Sequence, residues 1–153
     1  MTHHNTQHDS FVIERHYHTT PDELFNTWAS AEAKARWFAG PESWTVMKRE
    51  FDFRVGGREY LSGEFSDGVI STFSCYYQEI IPSQRIIYSY DMHLNNKRIS
   101  VSLVTVIFSA MNNETQLTYT EQAVFLDPLD NAQNRKRGTE ALLNNLAILI
   151  NTQ

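Results

Sequence analysis

The sequence predicts an α+β fold in the order β-α-α-β6-α. In it a seven-stranded curved antiparallel sheet is joined by two short helices and a long C-terminal helix. Three observations carry this expectation. A strand-like run at residues 11–18 is followed at once by helix-start signals. From residue 44 to residue 125 the chain shows only strand runs and tight turns. After Asp127-Pro128 the apolar spacing becomes helical and stays so through Ile150.

The first strand is read from Phe11, Val12, Ile13 and Tyr17. Thr20-Pro21-Asp22-Glu23 then opens a helix: Thr20 is a capping residue, Pro21 suits the first turn and Glu23 completes a capping box. Leu24, Phe25 and Trp28 follow at helical spacing. Ser30 caps a second short helix, with Trp37 and Phe38 near its end and Gly40-Pro41 closing it.

The turns of the strand region are Gly56-Gly57, Ser66-Asp67-Gly68, Pro82-Ser83, Asn95-Asn96 and Asn112-Asn113. Gly and Asn accept the positive φ that short hairpins need. Six consecutive strands result, and the first strand makes seven. In the last segment Leu142, Leu146 and Leu149 form one stripe with Leu143, Ala147 and Ile150 beside it. That is a helix with a wide apolar face. Gly138 inside it marks a kink, a later helix start or a close approach to the sheet.

Period-two alternation assigns faces. Ile86, Tyr88, Tyr90 and Met92 share an inward face, as do Leu117, Tyr119, Glu121, Ala123 and Phe125. Phe73, Cys75, Tyr77 and Glu79 share another, and Phe51, Phe53 and Val55 oppose Asp52 and Arg54. The run from 58 to 65 is ambiguous. The run from 99 to 108 is apolar on both faces: Val104, Val106 and Phe108 on one, Val101, Leu103 and Ile107 on the other. An open antiparallel sheet needs only one, so cover by a loop or side-chain stems, or a homodimer through Leu103 and Ile107, is expected.

At 153 residues and 17.8 kDa the chain is one domain spanning residues 10–153, preceded by a polar tail at 1–9 that is expected to be disordered. His3, His4 and His8 in that tail do not make a metal site. The net charge of −5 argues against nucleic acid and anionic membranes as partners. Cys75 is the sole cysteine, which excludes an internal disulfide. The opening residues lack the layout of a signal peptide, so a cytoplasmic location is expected. No cofactor is expected: Gly56-Gly57 lacks the strand, glycine-rich turn and helix of a phosphate loop, and the histidines show no ligand spacing.

Inward tyrosines at 77, 88, 90 and 119 under an amphipathic helix suit an apolar cavity with a few polar handles. Glu121 and Glu79 are inward carboxylates. Glu121 is the candidate for acid–base work, with Tyr88 or Tyr119, and pairing with Arg49 or Arg58 is the structural alternative. Arg135-Lys136-Arg137 reads as a solvated helix face.

Four segments resemble a known family. They are residues 20–28 (TPDELFNTW), 34–38 (KARWF), 52–58 (DFRVGGR) and 79–88 (EIIPSQRIIY). Together they resemble the SRPBCC, or START-like, helix-grip superfamily, and within it the Hsp90 ATPase activator-homologue branch. The resemblance implies a hydrophobic pocket between sheet and long helix. The expected cavity residues are Trp37, Phe38, Phe53, Phe73, Tyr77, Tyr88, Tyr90, Met92, Val106, Phe108, Tyr119, Glu121, Leu142 and Leu146, and the expected occupant is a small hydrophobic ligand. Members of the superfamily bind lipids, sterols or polyketides, and a few cyclise or dehydrate them, so a cyclase, aromatase or hydrolase-like enzyme is the alternative. A chaperone-associated protein-binding module is the third reading. At Glu59 the chain departs from the pattern, since an apolar residue is common there.

Overall fold

The structure is a computed structural model that describes residues 6–151. Its elements are β1 (Gln7–Tyr17), α1 (Pro21–Ala29), α2 (Ala31–Trp37), β2 (Thr45–Phe51), β3 (Arg58–Glu64), β4 (Ile70–Ile81), β5 (Arg85–Leu94), β6 (Lys97–Met111), β7 (Glu114–Phe125) and α3 (Ala132–Asn151). The seven strands form one antiparallel sheet in the order β1-β7-β6-β5-β4-β3-β2. β2 to β7 run as a meander, and β1 returns to pair with β7, so the two helices link opposite edges of the sheet.

Local chemistry sets the boundaries. Thr20 Oγ1 accepts from the Glu23 amide at 3.2 Å and Ser30 Oγ from the Ala33 amide at 3.3 Å, satisfying first-turn donors of α1 and α2. Ser83, Asn95 and Asn112 take positive φ at three hairpins. Asn131 Oδ1 accepts from the Asn134 amide at 2.8 Å and starts α3. Register shifts at Met47, at Gln78 and opposite Met92 and His93 bend the sheet around the helices.

The core fills the concave side. Leu24, Trp28, Ile86, Val104, Val106, Leu117, Leu143 and Leu146 are nearly inaccessible to water. Alternation is regular along β5 and β7: Ile86, Tyr88 and Tyr90, and Leu117, Tyr119, Glu121, Ala123 and Phe125, are all buried. On the opposite face Val101, Leu103 and Ile107 are each about two fifths exposed, joined by Val12 at one half.

Three expectations change. β1 starts at Gln7, whose partner is Phe125, so residues 7–9 belong to the sheet and not to a tail; His3 and His4 lie outside the described residues. Val55 is 58% exposed because β2 stops at Phe51 and Val55-Gly56 forms the turn. Glu79 does not face inward. The shift at Gln78 inserts a residue, reverses the alternation beyond Tyr77 and leaves Glu79 half-exposed and paired with Arg85 at 2.5 Å.

Candidate functional site

A cavity of about 500 Å³ lies between α3, the inner face of the sheet and the segment after α2. Phe38, Phe73, Tyr88, Tyr90, Met92, Tyr119 and Leu142 are on its wall. Trp37, Phe53, Tyr77, Val106, Phe108 and Leu146 lie off the wall, in the packed core around it or against that core. The rings join in one aromatic chain: Trp28–Trp37 at 4.7 Å between centroids, Trp37–Phe38 at 5.7 Å, Phe38–Phe73 at 5.0 Å and Phe73–Tyr90 at 4.9 Å. Such contacts hold the rings against one another.

The space exists because α3 presents two different stripes. Leu143, Leu146 and Leu149 are buried. Gly138, Ala141, Leu142 and Asn145, at i, i+3, i+4 and i+7, face the cavity with little bulk. A Cβ built on Gly138 meets nothing within 4 Å, so this glycine marks no close approach to the sheet; it is exposed where the continuous α3 borders the cavity.

Trp44 closes another side. Its ring lies against the backbone of Gly40 and Gly63, and its Nε1 donates to Ser71 Oγ at 3.0 Å. Trp44, Leu61, Phe65, Ser71, Arg135, Gly138, Thr139 and Asn145 all line the cavity without having been expected to. For Leu61 the signal was masked by the charged and small residues that share its strand. For Trp44 it was the two glycines against which the ring rests.

Glu121 is fully buried but does not reach the cavity wall. Its Oε1 accepts from the Tyr119 hydroxyl at 2.7 Å. Its Oε2 accepts from Tyr90 at 2.7 Å, Ser102 at 2.7 Å and Arg135 Nη1 at 3.3 Å. The partner of Glu121 is therefore Arg135, and neither Arg49 nor Arg58. Arg135 turns inward at 11% exposure instead of lying on a solvated face. It donates further to the Tyr90 hydroxyl and to Ser100 Oγ, both at 2.8 Å, and to Asp130. Burial alone would lower its pKa, but Tyr90, Glu121 and Asp130 outweigh that and raise it. With both oxygens engaged, Glu121 organises the tyrosines; the groups at the wall are Tyr90 and Tyr119.

Burial, then the neighbouring carboxylate and hydroxyls, pushes the hydroxyls of Tyr88, Tyr90 and Tyr119 far up. They are neutral at any physiological pH. Burial also pushes the Cys75 thiol up, with Glu59 adding to it, so this cysteine is a packed neutral group and not an activated nucleophile. Among the described residues no cluster of His, Cys, Asp or Glu could hold a metal ion. Also among them, no helix is long and apolar enough to cross a membrane.

A curved antiparallel sheet closed by a long helix over an aromatic cavity defines a helix-grip protein of the SRPBCC, START-like kind. The chain belongs to the family described as Activator of Hsp90 ATPase homolog 1-like protein, whose model matches residues 18–151. No curated protein matches the sequence. Among solved structures, an uncharacterised protein from Rhizobium leguminosarum is 38% identical, with a TM-score of 0.94 over 99% of this chain and 100% of its own. Mll3558 from Rhizobium loti is 37% identical, with a TM-score of 0.88 over 95% and 99%. CV1439 from Chromobacterium violaceum, at 21% identity and a TM-score of 0.78 over 92% and 96%, shares the fold.

Proposed function

We propose that this protein holds a small hydrophobic molecule in the cavity between sheet and C-terminal helix, as a carrier or sensor. One observation carries the reading: an open-mouthed space of about 500 Å³ remains between α3 and the sheet, beside a core whose other aromatic rings are in mutual contact. A concave space of this size lined by aromatic and apolar side chains with a few polar groups is the usual character of a small-molecule site. The side chains facing this space are aromatic and apolar with a few convergent hydroxyls, which suits a drug-sized organic molecule and not a polar metabolite or a nucleotide.

Native mass spectrometry of freshly purified protein tests this. A co-purified species of small-molecule mass, released on mild activation, is the expected result. A ligand-free crystal structure in which side chains have closed the cavity would overturn it.

A chaperone-associated role is the second reading, favoured by the family description. It places the working surface outside the cavity, and a pull-down against purified Hsp90 tests it. Self-association through Leu103 and Ile107 is also a proposal; sedimentation equilibrium finding only monomer at high concentration would end it. A cytoplasmic location belongs to the same proposal, and fits the unpaired buried Cys75.

A further inference from the structure

We infer that the cavity selects an uncharged aromatic molecule bearing a hydrogen-bond donor, of the phenol type, and discriminates against a carboxylate of the same shape. The inference rests on the ligand-holding reading above and names the chemistry of what is held.

The first ground is charge. Arg135 is the one charged residue on the cavity wall among the described residues. A buried arginine beside an apolar pocket would ordinarily mark a site for an acid. Here its charge is already taken. It faces Glu121 at 3.3 Å and lies against Asp130. Its nitrogens also donate to Tyr90 and Ser100. Two carboxylates against one guanidinium leave the cluster net negative. A ligand carboxylate would lose its hydration on entering and meet, as the only charge on the wall, a guanidinium already offset by the two carboxylates behind it.

The second ground is the direction of the hydrogen bonds. A hydroxyl has one proton to give and two lone pairs to receive with. The Tyr90 and Tyr119 protons are given to Glu121, both at 2.7 Å. The Thr139 proton is given to the Arg135 carbonyl at 3.0 Å. What these three wall residues keep for an occupant is oxygen lone pairs, one of Tyr90's being already taken by Arg135. A ligand O–H or N–H finds acceptors there; a carboxylate, which only accepts, faces oxygen against oxygen. Ser71, whose oxygen accepts from Trp44, the Tyr88 hydroxyl and Asn145 retain neutral donors, which do not offset a whole charge. The rings of Phe38, Phe73 and Trp44 supply apolar enclosure.

Three probes of one shape separate the grounds: 4-phenylphenol, biphenyl and biphenyl-4-carboxylate, titrated calorimetrically into the full chain at pH 7.5. At that pH the phenol is neutral, with a pKa of about 10, and the acid is ionised, with a pKa of about 4. The phenol is expected to bind at least about tenfold more tightly than the carboxylate and more tightly than biphenyl. Asp130→Asn removes one carboxylate while keeping Glu121, Ser100 and Tyr90 around Arg135. It is expected to raise the carboxylate's affinity relative to the phenol's, with a circular dichroism melt checking the fold. A carboxylate that binds wild type as well as the phenol overturns the inference, and so does biphenyl matching the phenol. If none of the three binds, the ligand-holding reading itself fails. Binding of all three without preference leaves that reading standing and removes this one.

Discussion

Lys34 Nζ sits 2.9 Å from Glu59 Oε1, and the two side chains are only 4% and 2% exposed. The Tyr77 hydroxyl donates to the same oxygen at 2.5 Å. The ammonium also lies 4.5–5.6 Å from the ring centres of Phe38, Trp28, Trp37 and Phe51. This pair ties α2 to β3 through the core, and it accounts for a buried carboxylate at Glu59, where the resemblance implied an apolar side chain. Removing one member strands the other as a buried unpaired charge. Lys34→Met is expected to cost about 3–5 kcal/mol in urea unfolding, and Lys34→Met combined with Glu59→Leu to recover much of that loss. A single variant as stable as wild type would show that the pair contributes nothing.

That pair also shows what the sequence can and cannot reveal. Strand faces were legible wherever alternation was unbroken: Tyr88, Tyr90, Tyr119 and Glu121 all point inward as their spacing indicates. Glu79 was not legible, because the register shift at Gln78 leaves no mark in hydrophobicity. Glu59 and Lys34 were hidden because charged residues read as exposed, and their burial depends on a partner 25 positions away. Arg135 was hidden for the same reason, within a basic triplet whose other members gave it a surface character. The cavity itself is a negative feature. Its presence depends on Gly138 and on what α3 fails to fill, which no inventory of apolar residues contains.

Trp44 and Gly63 are matched by shape. A Cβ at Gly63 would fall 2.1 Å from Trp44 Cε2, and one at Gly40 2.6 Å from Trp44 Cδ2. Gly63→Ala must therefore displace the indole from its seat and break its hydrogen bond to Ser71. A loss of about 1–3 kcal/mol is expected, in the range of overpacked cores. A red shift in tryptophan emission, as Trp44 moves toward water, should accompany it. An unchanged spectrum and melt would mean the ring does not occupy this seat in solution.

The buried tyrosines predict a steep alkaline limit. Burial raises the hydroxyls of Tyr17, Tyr77, Tyr88, Tyr90 and Tyr119 above their ordinary pKa, chiefly by desolvation. Below pH 10 both the folded and unfolded chains keep these protons, and stability does not depend on them. Above about pH 10 the unfolded chain releases them and the folded chain does not. Each tyrosine then lowers stability by up to about 1.4 kcal/mol per pH unit. Absorbance at 295 nm and far-ultraviolet circular dichroism should therefore change together in one sharp transition. If these five hydroxyls ionise near pH 10 while the dichroism stays native, they are not sealed in the core.

Gly138 gives the sharpest separation between folding and holding a ligand. Glycine inside a helix costs about 1 kcal/mol relative to alanine, and nothing within 4 Å obstructs a Cβ here. Gly138→Ala is thus expected to stabilise the protein by about 0.5–1 kcal/mol. Gly138→Leu adds an apolar side chain at the border of the cavity without displacing a neighbour at its Cβ. It should melt no lower than wild type while weakening the binding of 4-phenylphenol by at least about tenfold, because it occupies the room the probe needs. A leucine variant that is stable and binds the probe as wild type does would place the probe somewhere other than under α3. A variant that loses both stability and binding would mean that the helix at Gly138 lies closer to the sheet than this cavity requires.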